Sequence, residues 1–200
     1  MFSGMVRAIG IVEQADQAVL AVRAPLLADV VIGASICVSG VCLSVVTLEG
    51  DCAYFDLGSE TRRCTTLGSL KVGARVHLEP SVRFSDTIDG HLVQGHVDAT
   101  ARVLSCADEG NTVRFECSLP EPVRRYVVPK GAIAIDGVSL TVGEVEADRF
   151  AVYIIPHTLE QTLFSEYREG SEVNIEADMI ARYLDRLAAP YRATGEGGEA

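Results

Sequence analysis

No stretch of this chain approaches the ~18 consecutive apolar residues of a membrane-spanning helix, so no membrane association is expected. Positive charge is scarce. Seventeen Lys and Arg against 28 Asp and Glu leave a formal charge of −11, and the only basic clusters are Arg62-Arg63 and Arg124-Arg125. Non-specific nucleic-acid binding needs a positive field, so that class of partner is not expected. None of the six cysteines has the two-residue spacing of a zinc knuckle or a redox pair. Met1 to Gly10 lacks a charged start followed by an apolar run, so no secretory signal is expected. Reduced thiols in the cytoplasm follow. Histidine is sparse too: His77, His91, His96 and His157. On a straight strand His91 and His96, five positions apart, would face opposite ways, and no third ligand lies nearby, so no metal site is expected.

What the chain does have is a core and a repeat. Hydrophobic residues make up 48% of it, which argues for a folded protein rather than disorder. Lys130 to Val142, KGAIAIDGVSLTV, reads as two strands joined by a tight Asp136-Gly137 turn. Gly33 to Val45, GASICVSGVCLSV, is a weaker copy with Ser39-Gly40 in the turn and Cys42 where the later copy has Ser139. The offset, 139 − 42 = 97, continues without a gap through Asp51 and Asp148, Thr61 and Thr158, Thr65 and Thr162, and Glu79 and Glu176. Two domains of roughly 90 residues, each able to form a core, are the consequence.

Residues 1 to 10 read as an opening strand, echoed at Gly95-His96-Val97 by the restart of the second copy. Further strands are expected around 18–22, 52–57, 75–79, 101–104, 113–118, 150–155 and 172–176, with a helical turn around 121–127. Short strands at that pace suggest a small barrel or sandwich of about six strands per copy. Only Met179 to Leu187 has helical spacing, with Ile180, Leu184 and Leu187 on one stripe. That stripe covers either a neighbouring subunit or the second domain of its own chain.

Chemistry-bearing candidates have plain alternatives. Cys42 and Ser139 follow tight turns, where small residues also occur for want of space. Asp178 suits a helix N-cap as well as a catalytic role. His96 stands beside a glycine at the seam between the copies. Glu60-Thr61 and His157-Thr158 follow equivalent strands and suggest two related small-molecule sites.

Several segments together resemble one family, the riboflavin synthase alpha chain. They are MFSGMV at the start, the paired GVCLSV and GVSLTV, SDTIDGHLVQGHVD in the linker, and IPHTLEQT with VNIEAD near the end. The resemblance spans residues 1 to 187 and implies an all-β fold of two six-stranded Greek-key barrels. The implied domains are 1–94 and 95–178, followed by an oligomerisation helix over 179–191 and a disordered tail over 192–200. It further implies a homotrimer in which the working site forms between the first barrel of one subunit and the second barrel of the next.

The reaction implied is a dismutation: one 6,7-dimethyl-8-ribityllumazine donates a four-carbon unit to another, giving riboflavin and 5-amino-6-ribitylaminouracil. No metal or cofactor takes part. By this mapping the catalytic positions fall on Ser35, Cys42, His96, Ser139, Thr141 and Asp178. One pocket and its rim take Gly4, Met5, Val6, Cys42, Leu43, Ser44, Asp56, Leu57, Gly58, Ser59, Glu60 and Thr61, with Gly95, His96 and Val97. The other takes Lys130, Ser139, Leu140, Thr141, Ile154, Ile155, Pro156, His157, Thr158 and Leu159. His96, or Ser139 in a relay with Asp178, would handle the proton of the acidic 7-methyl group. Cys42, or a water it places, would add to ring carbon 7 of the other lumazine. Departures from the family pattern gather in the first barrel, at Ser3, Met5, Ser39, Ser44 and Asp89. The alternative is a non-catalytic lumazine- or flavin-binding protein of the antenna type on the same barrels. Association with the lumazine-forming enzyme is left open.

Overall fold

In a computed structural model, residues 1–192 are described; the tail expected over 192–200 lies, apart from the backbone of its first residue, outside them. The first barrel comprises β1 (Ala8–Ala15), β2 (Val19–Arg23), β3 (Ser35–Val38), β4 (Val41–Glu49), β5 (Cys52–Asp56) and β6 (Arg75–Pro80), with helix α1 (Ser59–Cys64) after β5. The second comprises β7 (Ala99–Asp108), β8 (Val113–Ser118), β9 (Ala132–Ile135), β10 (Val138–Val145), β11 (Arg149–Ile154) and β12 (Glu172–Ala177), with α2 (Pro156–Gln161) after β11. Helix α3 (Met179–Arg192) follows. Each barrel closes in the order 1-2-5-4-3-6, the second copy repeating it as β7-β8-β11-β10-β9-β12. All pairs are antiparallel. This is the six-stranded Greek-key pair the sequence led us to expect.

Alternation explains the closure. Along β3 and β4, Ile36, Val38, Val41, Leu43 and Val45 face the first core, which also holds Phe55 and Leu78. Ile133, Ile135, Val138 and Val142 do the same for the second, around Phe115, Phe150 and Phe164. The opposite faces of the two hairpins turn toward each other, and there Cys37 and Ala134 join Phe2 and Val93 in a separate cluster between the barrels. Both hairpins turn through two residues at positive φ: Ser39 (43°) and Gly40 (84°), Asp136 (45°) and Gly137 (80°). That conformation matches the twist of the strands and favours glycine at the second position. It also serves the interface. A Cβ on Gly40 would lie 2.9 Å from the Gly137 nitrogen, and one on Gly137 2.9 Å from the Gly40 nitrogen. The two turns therefore abut across a pseudo-twofold axis.

Residues 1–7 do not form the expected opening strand; the sheet begins at Ala8. Instead the segment ahead of β1 pairs with the segment ahead of β7, Phe2 N–H donating to Val93 O (2.7 Å) and Val93 N–H to Phe2 O (3.0 Å). Both side chains are fully buried. Short apolar segments with no sheet edge of their own are thus satisfied by each other at the axis. Helix α3 is held on its polar side by Arg182 to Asp98 (2.7 Å) and Asp185 to Arg125 (3.1 Å). Ile180, Tyr183, Leu184 and Leu187 on it remain 54–69% exposed.

Candidate functional site

Two clefts of about 300 Å³ open beside the hairpins. The first is lined by Val41, Cys42, Glu60, Thr61, Cys64 and Thr65 of the first barrel, and by Gly95, His96, Val97 and Asp98. The second is lined by Val138, Ser139, His157, Thr158, Gln161 and Thr162, and by Gly4, Met5, Val6 and Arg7. The linings correspond position for position. Six barrel residues of each are related by the 97-residue offset, and the four leading residues by 95 − 4 = 91. The chemistry does not repeat: where the first cleft has Cys42, Glu60, Cys64, His96 and Asp98, the second has Ser139, His157, Gln161, Met5 and Arg7.

Local sequence builds each cleft wall. Pro156 begins α2, where its fixed φ suits a first helical position. Thr65 and Thr162 end the two short helices, their hydroxyls donating back to Thr61 O and Thr158 O (2.6 Å each). The same hydroxyls accept N–H groups of Leu67 and Phe164, starting the next turn.

The fourth side of each cleft comes from the other half of the chain. Ser139 N–H donates to Gly4 O and Cys42 N–H to Gly95 O, both at 2.8 Å. Gly4 and Gly95 have φ of 75° and 78°, and a Cβ on either would come within 2.7 Å of the Ser139 or Cys42 Cβ. Gly4 to Val6 therefore border the second pocket, not the first to which the family mapping assigned them. Gly95 to Val97 cover the first pocket.

The clefts differ electrostatically. In the first, Glu60 bonds Arg63 (2.6 Å) and accepts from Cys64 Sγ (3.2 Å), which hold its carboxyl below the usual range. Asp98 accepts Ala177 N–H (2.9 Å) and Arg182 Nη2, yet burial lifts its pKa. At the second, Ser139 Oγ shares a 2.6 Å hydrogen bond with Nδ1 of His91, which stands behind it and does not itself line the cleft. His91 Nε2 is buried without a hydrogen-bond partner among the described residues. Burial depresses the His91 pKa, opposed by the charge of Asp178, so the imidazole is neutral at pH 7. Asp178 Oδ1 also accepts the Ile180 N–H (2.9 Å) and so caps α3. The capping role foreseen for Asp178 is thus present, in a carboxylate whose charge reaches His91.

The catalytic candidates divide between the clefts. Cys42 and His96 line the first; Ser139 lines the second, with Asp178 near its histidine partner. The hydrogen-bond partner of Ser139 is His91, whereas the expected relay joined Ser139 to Asp178 directly. Ser35 pairs with Ser44, and Thr141 with Ala132, farther along the hairpin faces that carry Cys42 and Ser139. None of those four lines either cleft. Leu43, Leu57 and Ile154 are buried in the barrel cores, against which Leu140 and Leu159 also pack, so those side chains are committed to packing. Asp56, Gly58 and Ser59 lie exposed at the entry to α1, and Ile155 and Pro156 at the entry to α2. Lys130 is exposed at φ 65°, where its counterpart Gly33 has 86°.

Arg7, Asp98, Cys64, Gln161 and the two threonines 65 and 162 were absent from the sequence-based set. The 97-residue register already named Thr65 and Thr162 as a repeated pair, and that signal was available. In sequence His91 reads as a failed metal ligand and as part of the linker motif, with no site role attached to it. The two histidines lie beside different hairpins because the linker is not a strand: His91 reaches Ser139 while Gly95, beside His96, bonds Cys42.

Comparison with known proteins finds the same two-domain organisation. The family model described as the lumazine binding domain matches twice, over residues 3–81 and 94–178. A riboflavin synthase of Brucella abortus is 41% identical over 199 residues, covering 94% of this chain and 98% of that one. One of Mycobacterium tuberculosis (strain ATCC 25618 / H37Rv) is 42% identical over 198 residues, with the same coverage. Among solved structures, LumP complexed with 6,7-dimethyl-8-(1'-D-ribityl) lumazine superposes with a TM-score of 0.80 at 26% identity, over 88% of this chain and 99% of that one. LumP complexed with riboflavin gives 0.81.

Proposed function

We infer the reaction from one premise: this chain, with its two lumazine-binding domains, belongs to the riboflavin synthase family. It converts two molecules of 6,7-dimethyl-8-ribityllumazine into riboflavin and 5-amino-6-ribitylaminouracil by moving a four-carbon unit from one to the other. The observation that carries this reading is the pair of clefts lined by equivalent positions with unlike side chains. Donor and acceptor are the same compound, so related walls hold both. They must nevertheless react differently, so the reacting groups diverge.

Roles follow from the side chains in each cleft. At the second, Ser139 and the neutral His91 behind it form a proton-handling pair near Asp178, suited to the 7-methyl group, whose anion is delocalised into the ring. In the first, Cys42, or a water it positions beside His96, adds to ring carbon 7 of the other lumazine. Holding two solutes face to face makes their encounter effectively unimolecular, a gain on the order of 7–11 kcal/mol in well-oriented systems.

The two clefts of one chain lie on separate barrels. We therefore place the complete site between the first cleft of one protomer and the second cleft of the next, in a cytoplasmic homotrimer. The exposed apolar stripe of α3 favours such an assembly, since Ile180, Leu184 and Leu187 remain more than half exposed in the described chain. Incubation of the purified protein with the lumazine tests the reading. Riboflavin should accumulate to half a mole per mole consumed. Tight binding with no turnover would make the chain a carrier.

A further inference from the structure

Two buried glutamates sit outside both clefts, and neither has a role in the chemistry above. Glu79, on β6, is 3% exposed. Its Oε1 accepts Ser3 N–H and Ser3 Oγ–H, both at 2.7 Å, and its Oε2 accepts Gly4 N–H at 3.0 Å. Its counterpart Glu176, on β12, is 2% exposed. It accepts Gln94 N–H at 2.7 Å, Gly95 N–H at 2.8 Å and His96 N–H at 2.9 Å.

The donors matter more than their number. Gly4 N–H is bound by a carboxylate of the first barrel while Gly4 O accepts from Ser139 in the second. Gly95 N–H is bound by a carboxylate of the second barrel while Gly95 O accepts from Cys42 in the first. Each glycine is gripped from both barrels, and the residues that follow it, Met5 to Arg7 or His96 to Asp98, form the rim of a cleft. Backbone N–H groups in a linker could be met by water at little cost. A fully enclosed carboxylate is a costly replacement, retained where it fixes a conformation that cheaper groups would leave loose. Burial raises the pKa of both carboxyls, in keeping with that cost.

We propose that Glu79 and Glu176 are positioning residues that act crosswise, each setting the rim of the ligand cleft on the barrel to which it does not belong. Glu79 fixes the rim over Ser139; Glu176 fixes the rim over Cys42. A purely structural glutamate would disturb the barrel that contains it, or both equally. The proposal rests on the clefts being the lumazine and flavin sites, and the experiment separates the two ideas.

Full-length single-cleft proteins are made by filling one cleft with a bulky ring: Thr61→Trp leaves the second open, Thr158→Trp the first. Riboflavin affinity is read by fluorescence quenching in each background, with and without Glu79→Gln or Glu176→Gln. The amide replaces one acceptor oxygen with a donor that opposes the backbone N–H. Glu79→Gln should weaken riboflavin about tenfold where only the second cleft is open and leave the first within about twofold; Glu176→Gln should do the reverse. Loss confined to the glutamate's own barrel, or equal loss in both backgrounds, overturns the proposal. Should a glutamine variant fail to fold, Glu79→Asp and Glu176→Asp, which keep the charge and withdraw it by one methylene, must show the same crossed pattern. A parent protein that takes up no riboflavin at all removes the functional reading, and this proposal with it.

Discussion

His77 and Asn174 occupy the same position in the two copies and make the same pair of hydrogen bonds with different chemical groups. His77 Nδ1–H donates to Asp136 O (2.9 Å) and its Nε2 accepts Leu163 N–H (2.7 Å). Asn174 Nδ2 donates to Ser39 O (2.7 Å) and its Oδ1 accepts Thr66 N–H (2.8 Å). Every partner is related by the 97-residue offset. Each residue reaches from one barrel into the turn of the other, so these bonds tie the two domains together. The accepting role at Nε2 requires a neutral imidazole, which makes one side of this tie sensitive to acid and the other not.

That asymmetry can be measured. Burial depresses the His77 pKa to about 4 from an ordinary 6.5. The unfolded chain therefore takes up the proton first, and stability from this residue, full above pH 6.5, is lost as pH falls toward 4. The shift corresponds to about 3 kcal/mol. Asp136 beside it runs the other way: burial pushes its carboxyl up to about 7, so its contribution is lost as pH rises from 3.8 to 7. The two slopes oppose each other in the parent protein. His77→Asn, copying the other copy, should remove the acid slope alone. Urea unfolding at pH 7.5 and 4.5 should show the variant gaining about 2–3 kcal/mol on the parent at the lower pH.

Among the described residues, His91 provides the only side-chain hydrogen bond of Ser139. His91→Ala should lower lumazine turnover by about a hundredfold, the lower range for loss of a proton-transfer partner, with riboflavin affinity changed far less. An unchanged kcat would place proton handling elsewhere in the cleft.

The abutting turns offer a stability test. Gly137→Ala meets both an unfavourable φ and the Gly40 backbone, whereas Gly170→Ala, at φ 88°, has nothing within 4 Å of its new Cβ. The second should cost about 1–2 kcal/mol, the left-handed penalty alone. The first should cost about 1–3 kcal/mol more, because backbone on the facing turn must move. Equal denaturation midpoints would show that the turns do not press on each other.

Removing residues 179–200 takes away the apolar stripe of α3 and the Arg182 bond to Asp98 at the first cleft. Light scattering should report a smaller species if the proposed trimer depends on that stripe, and turnover should fall with it. A fully active monomer would refute a site shared between protomers.

Much of this protein is written locally. Alternating residues such as Ile36, Val38, Val41 and Leu43, and glycines placed where a turn needs positive φ, state a β hairpin without reference to anything distant. Repetition at a fixed offset then states two such domains, and the residue differences within the repeat (Cys42 against Ser139 foremost) single out the unlike clefts. The short helices α1 and α2 escaped notice because six residues carry too little periodicity to read.

What the sequence could not state is which barrel each leading segment serves. Gly4-Met5-Val6 and Gly95-His96-Val97 look alike, and either would fit beside either hairpin. The choice is made by contacts between residues far apart in the chain: Phe2 against Val93, Gly4 against both Glu79 and Ser139, Gly95 against both Glu176 and Cys42. Hairpins are chosen by neighbours a few residues away, so the sequence alone determined the barrels. The exchange of rims is chosen by which carboxylate and which carbonyl meet when the barrels dock, so only the tertiary structure decided it.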